Sequence, residues 1–133
     1  MIVVDASIVA NVLADDSDDG QAAREALRTD VDLVAPDLVD IETVAVLRKR
    51  WLAKTITARR FRESIDDLGD LAIIRYPALP LMPRAFELRA NVTVYDSTYV
   101  ALAEALDVPL MTGDTRLANA TGPACEIRLV STS

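Results

Sequence analysis

The 133-residue chain is expected to be one α/β domain, a three-layer α/β/α sandwich around a mainly parallel sheet. Three observations predict it. Short apolar runs recur at Ile2-Val3-Val4, Leu33-Val34, Ala72-Ile73-Ile74, Pro109 to Thr112 and Ile127 to Val130, as in strands covered on both faces. Stretches of helical spacing separate them, the alternation that builds parallel sheets with helices on either side. Apolar residues make up 51%, enough for one core at this length and too many for a disordered chain. No repeat, linker or low-complexity stretch interrupts the pattern, so residues 1–133 form a single unit.

Each element has a local reason. Ile2-Val3-Val4 runs into a helix on Ile8, Val9, Val12 and Leu13. The acidic run Asp15 to Asp19 with Gly20 reads as solvated loop, and Ser17 or Asp18 is placed to cap a helix through Ala22, Ala23, Ala26 and Leu27. Leu33-Val34 is closed by Ala35-Pro36, and Pro36 suits a helix start because its missing N–H is not needed there. That helix runs from about Asp37 to Ala53 on a stripe of Leu38, Ile41, Ala45 and Val46. Thr55 or Thr57 caps the next, with Phe61, Ile65 and Leu68 inward and Gly69 as its stop. The strand at Ala72 ends by Pro77, and Pro80 and Pro83 precede a helix carrying Ala85, Phe86, Leu88 and Arg89. Asp96 caps a helix that faces Tyr99, Val100, Leu102, Ala103 and Leu106 inward. After the strand at Pro109, a helical turn follows Asp114 and leads to the last strand.

A formal charge of −7 repels nucleic acid, but the charge is segregated. Arg48, Lys49, Arg50, Lys54, Arg59, Arg60 and Arg62 are seven of the 14 basic residues, with no acid among them. Arg48, Arg50, Arg59, Arg60 and Arg62 are therefore candidates for contact with RNA or a partner; an ordinary charged helix face is the alternative. Trp51 in the same run reads as packing, with base stacking the alternative. Cys125 is alone, which rules out an intrachain disulfide, suits a reducing cytoplasm and leaves the thiol as a small apolar filler. No signal-peptide pattern opens the chain, and no stretch approaches the ~20 apolar residues of a membrane span. A cytoplasmic protein is expected.

Asp5, Glu42, Asp96 and Asp114 carry the chemistry. Asp5 and Asp114 follow buried-strand patterns, so in a parallel sheet both emerge at the same edge. Their repulsion needs a cation or a shared proton to offset it. Glu42 falls on the arc of Leu38, Ile41, Ala45 and Val46 with no Lys or Arg a turn away, so it is expected to point into a polar site. Helix capping explains any one of the aspartates alone; the set of four, in a chain without histidine, suits a hard divalent cation held by oxygen. Hydrolysis of a phosphodiester is the usual work of such a cluster. Ser7 and Thr112 can hydrogen-bond a ligand or a carboxylate, or merely the backbone. Asp37 and Asp40 read as solvated acids of a first helical turn.

Four segments carry a family resemblance: Ile2-Val3-Val4-Asp5-Ala6-Ser7, Pro36-Asp37-Leu38 through Glu42, Tyr95-Asp96 through Leu106, and Pro109 through Thr112-Gly113-Asp114 to Leu117. In order, spacing and flanks they resemble the PIN domain, and specifically the VapC-type toxin ribonucleases of type II toxin–antitoxin pairs, over nearly the whole chain. Ser97 and Gly113 depart from the pattern at positions where a small apolar residue and Ala are common. The resemblance implies a three-layer sandwich, dependence on Mg²⁺ or Mn²⁺, RNA as substrate, a homodimer, and neutralisation by a cognate VapB-type antitoxin. It also implies that Asp5, Glu42, Asp96 and Asp114 bind metal and catalyse hydrolysis by an activated water, leaving 5′-phosphate and 3′-hydroxyl ends. Without histidine, cleavage through the RNA 2′-hydroxyl by an imidazole pair is excluded.

Two rival readings remain. A catalytically silent PIN-like scaffold that binds RNA or protein is disfavoured because no member of the acidic set is missing. A receiver-type phosphoacceptor domain needs an Asp at the end of a central strand and a late Lys. Here Leu33-Val34 ends in Ala35-Pro36, and no Lys follows Lys54.

Overall fold

A computed structural model describes residues 1–28 and 31–130. Its sheet contains β1 (Ile2–Val4), β2 (Leu33–Pro36), β3 (Ile73–Tyr76), β4 (Leu110–Thr112) and β5 (Ile127–Leu129) in the order β3-β2-β1-β4-β5. Every neighbouring pair is parallel, which makes the sheet wholly rather than mainly parallel. The central strands are apolar throughout because both faces are covered: Val3, Val4, Val34 and Leu110 are fully buried.

The helices are α1 (Ala6–Ala14), α2 (Asp18–Ala26), α3 (Val39–Leu52), α4 (Ala58–Asp70), α5 (Met82–Glu87), α6 (Val94–Leu106) and α7 (Thr115–Ala118), with a 3-10 turn at Leu79–Leu81. Helix α1 packs on α2, α3 and α4, while α6 lies on β1, β2 and β4 and carries α5. The topology explains the division. The crossovers from β1 to β2 and from β2 to β3 step one way along the sheet, and the crossover from β3 to β4 steps back past β1. With one preferred handedness, opposite steps put their helices on opposite faces. The order reverses between β1 and β4, and their carboxyl ends open the crevice where open α/β sheets bind ligands. No helix among the described residues is long and apolar enough to cross a membrane.

Several local expectations are corrected. Helix α3 starts at Val39, with Pro36 still in β2, and its buried side is Val39, Thr43 and Leu47. The expected stripe lies at the flank: Ile41 is 76% exposed. The α4 helix buries Ser64 and Leu68 and leaves Ile65 largely exposed. Thr57 is its cap, its hydroxyl accepting from the Arg60 N–H at 3.0 Å. Gly69 does not stop that helix, which continues to Asp70. Asp96 does not cap α6; Thr93 does, accepting from the Asp96 N–H at 3.2 Å. A threonine at the true start outcompeted the acid three residues later.

The acidic run is loop only as far as Ser17, with Asp16 and Ser17 exposed. Asp18 and Asp19 form the first turn of α2, where the helix dipole favours them. Gly20 is inside that helix, and a Cβ there would lie 1.7 Å from the Asp15 carbonyl oxygen. Close approach, not a turn, requires the glycine. Asp40 is held by Arg75 of the edge strand β3 in a two-pronged pair at 2.8 Å for each bond, so it is not a free surface acid.

Candidate metal centre

Asp5 leaves β1 and caps α1, its Oδ1 accepting from the Ile8 N–H at 3.1 Å and the Ser7 hydroxyl at 2.6 Å. Its Oδ2 accepts from the Thr112 hydroxyl at the end of β4. The two strand ends are stitched further: Gly113 N–H donates to Ser7 Oγ and Asp114 N–H to Thr112 Oγ1, both at 3.0 Å. Ser7 and Thr112 therefore act on a carboxylate and on backbone at once. They hold Asp5, which is 5% exposed, in one orientation. Asp114 caps α7, Oδ1 accepting from the Arg116 N–H at 2.9 Å.

Glu42 and Asp96 reach the same crevice from α3 and α6. Both are half-buried, and both carboxyls are raised above their ordinary values. For Glu42 the cause is burial first, then the charges of Asp96 and Asp5, against an opposing interaction with Tyr99. For Asp96 it is burial, then Asp5 and Asp114, with Thr93 and the Arg116 guanidinium opposing. That guanidinium is 95% exposed, so solvent screens it. Asp5 is raised by burial despite its hydrogen bonds from Ser7, Thr112 and Ile8, which pull the other way. Asp96 and Asp114 line one cleft, and the charges of Asp5, Glu42, Asp96 and Asp114 act on one another across it, so four acids from distant parts of the chain form one electrostatic cluster. No three acids among the described residues close on a common point as ligands of a single ion.

Tyr99 is the residue that the sequence pattern did not reveal. It is 1% exposed and looked like core. Its hydroxyl instead faces Glu42, whose charge, after burial, raises the phenol above its usual value. The pair does not reach full hydrogen-bond geometry, and Tyr99 Oη and Glu42 Oε1 are both buried without a partner. An acidic oxygen left unpartnered inside a protein is expensive unless something outside the chain satisfies it. Hard oxygen donors, a like-charge cluster and a buried carboxylate oxygen without a partner suit a divalent cation, which some of the acids would reach through water because no three of them converge as direct ligands. A tyrosine three residues after Asp96, on the same side of the helix, was the available signal.

The basic segment is put to two uses. Helix α1 has no basic residue in its own last turn, and three arginines from other helices supply that charge. Arg24 Nη1 donates to the carbonyls of Val12 at 3.2 Å and Asp15 at 2.9 Å. Arg50 donates to the Ala10 carbonyl at 3.3 Å and to Asn11 Oδ1 at 2.6 Å. Arg60 donates to the Leu13 carbonyl at 3.2 Å and grips Asp16 with both nitrogens, at 2.9 and 3.1 Å. Arg59 and Arg62 form exposed pairs with Glu63 and Asp66. Arg48, like Lys49 and Lys54, is exposed and makes no ion pair among the described residues. Trp51 is 43% exposed, and Cys125 is partly buried against the core.

The PIN domain family matches residues 2–123. Ribonuclease VapC1 of Mycobacterium tuberculosis is 45% identical over 129 residues, covering 96% of each chain. The crystal structure of VapC20 from Mycobacterium tuberculosis, described as a sarcin–ricin loop cleaving toxin, superposes with a TM-score of 0.69 at 16% identity, covering 91% of this chain and 97% of that one. VapBC2 from Rickettsia felis, crystallised with a DNA fragment from its promoter, superposes with a TM-score of 0.68 at 14% identity over 98% of this chain and 100% of the other. The acid cluster at the β1–β4 crevice thus sits in a chain that belongs to the PIN domain family, among its VapC-type toxin ribonucleases.

Proposed function

We propose that this ribonuclease is a divalent-metal-dependent endonuclease whose Asp5, Glu42, Asp96 and Asp114 hold Mg²⁺ or Mn²⁺ and cleave RNA. The observation that carries the reading is Glu42 Oε1, buried without a hydrogen-bond partner within a cluster of acids whose charge no buried cation among the described residues offsets. A divalent ion bound there would lower the pKa of a water and stabilise charge on the phosphate oxygens. The protein's own part is positioning. Asp5 is the fixed member, since Ser7, Thr112 and the start of α1 restrain both its oxygens. Glu42 Oε1, buried and without a hydrogen-bond partner, is the oxygen that a cation would satisfy. Asp96, raised by burial and by its neighbours, is suited to orient the attacking water and accept its proton.

The decisive experiment incubates the purified chain with total RNA in Mg²⁺, Mn²⁺ or EDTA and maps the cut ends. Cleavage in both metals, none in EDTA, and products with 5′-phosphate and 3′-hydroxyl ends are expected. Cleavage that persists in EDTA would remove the metal from the mechanism.

The partner reading follows from the same acids. A toxic nuclease is silenced when a cation of an inhibitor occupies the carboxylates, and one structural neighbour is VapBC2 bound to a DNA fragment from their promoter. We read this chain as a homodimer neutralised by a VapB-type antitoxin that presents an Arg or Lys to Asp5 and Asp96. Co-expression with the adjacent small protein should restore growth and co-purify a complex. Failure of every such protein to bind the chain would end the antitoxin reading and leave the nuclease intact.

A further inference from the structure

We propose that the cleft formed by Ile41, Ala45, Val46, Lys49 and Tyr95 beside Glu42 is a nucleobase subsite: Tyr95 stacks on a base of single-stranded RNA and Lys49 meets an adjoining phosphate. The proposal rests on the ribonuclease reading and locates part of its substrate. The cleft encloses about 400 Å³ between α3 and the first turn of α6. Its apolar members are turned outward rather than into the core: Ile41 is 76% and Tyr95 is 63% exposed. Such a surface next to buried acids has to interest an apolar group that arrives with the substrate.

Three features choose a base over other occupants. Tyr95 immediately precedes Asp96, and Glu42 lines both the cleft and the acid cluster, so the cleft is continuous with the proposed reaction centre. An aromatic ring opposite aliphatic side chains makes a slot for a flat π-system, and every base offers such a face. Lys49 supplies an exposed cation without an ion pair among the described residues, in a chain whose net charge of −7 otherwise repels the RNA backbone. On the far side of Asp96 a smaller polar cleft is lined by Asn91, Thr93, Asp114 and Arg116. An RNA strand crossing from one cleft to the other passes over the acids, with a base held on the Tyr95 side.

The test uses the full chain with Mg²⁺ and labelled uniform oligoribonucleotides of U, A or C. Tyr95→Ala should raise KM about tenfold, the loss of one stacked base, with kcat little changed. Tyr95→Phe should retain wild-type values, and Lys49→Gln should flatten the salt dependence without moving the cut site. A second measurement needs no cleavage: in an Asp5→Asn, Trp51→Phe background, a Tyr95→Trp indole should be quenched by the oligonucleotides. A cleaving wild type alongside an unaltered Tyr95→Ala and an unquenched indole would overturn the subsite while sparing the nuclease. The same silence together with a changed assembly mass or antitoxin affinity would assign the cleft to a protein partner instead. Quenching without cleavage by the wild type would keep the subsite and sink the proposed chemistry.

Discussion

The two ends of helix α1 are in opposite electrostatic states, although only its nine residues separate them. At the carboxyl end, the last carbonyls and Asp16 meet Arg24, Arg50 and Arg60, and the helix dipole is answered from inside the protein. At the amino end, Asp5 is fixed by hydroxyls and backbone while the charges around it, Glu42 and Asp96, are of its own sign. One end is complete as folded. The other stores repulsion that a cation would relieve. The contrast teaches which arginines build the structure and which acids are left for chemistry.

The largest expected effect breaks the amino end. Asp5→Asn or Asp96→Asn should abolish metal-dependent cleavage and growth arrest, with a thermal midpoint level or higher because like charge has been removed. A mutant that unfolds yet still cleaves would return these acids to a purely structural role. Next in size is the ion itself. Mg²⁺ or Mn²⁺ at a hundred times its Kd should stabilise the protein by about 2.7 kcal/mol, and Asp96→Asn should erase most of that gain in calorimetry.

The opposite end should respond in the opposite way. Arg50→Ala should destabilise by roughly 1–3 kcal/mol, the range for lost hydrogen bonds to a charged group. It should leave kcat near wild type, because Arg50 is committed to Ala10 and Asn11. A folded, stable Arg50→Ala with weakened RNA binding would instead put Arg50 on the substrate surface. The smallest effect is a pH profile. Asp5, Glu42 and Asp96 are raised in the folded state above ordinary values of 3.8 and 4.5, so the native protein binds protons more readily than the unfolded chain. Stability of the metal-free protein should therefore rise, by a few degrees in Tm, as pH falls from neutral through those raised values. Asp16 and Glu104, lowered mainly by bonds to Arg60 and Arg84, lose their contribution only on further acidification through their depressed values. A midpoint that declines steadily from neutral pH would show that the site acids are not strained.

Much of this was legible in the residues. Apolar triplets such as Ile2-Val3-Val4, β-branched and closed at once by an acid and a helical pattern, mark buried strands through their flanks as much as their own residues. Asp5 and Asp114 follow such runs directly, and a parallel sheet sends both to one edge. Periodicity was weaker on α3, where apolar side chains occur almost all round and spacing cannot choose the face. Ile41 went to the surface and Thr43 and Leu47 to the core because α1 and α4 pack there.

Local composition determined element types, their order, the parallel sheet and the acids that follow β1 and β4, since these depend on neighbours within a few positions. Tertiary packing alone decided what each charge meets. Arg50 and Arg60 look interchangeable with Arg48 along the chain, yet the first two close the end of α1 and the third stays in solvent. Tyr99 reads as core until α3 brings Glu42 against its hydroxyl. Coulomb energy and desolvation depend on distances across the fold, and those distances exist only once the helices have packed.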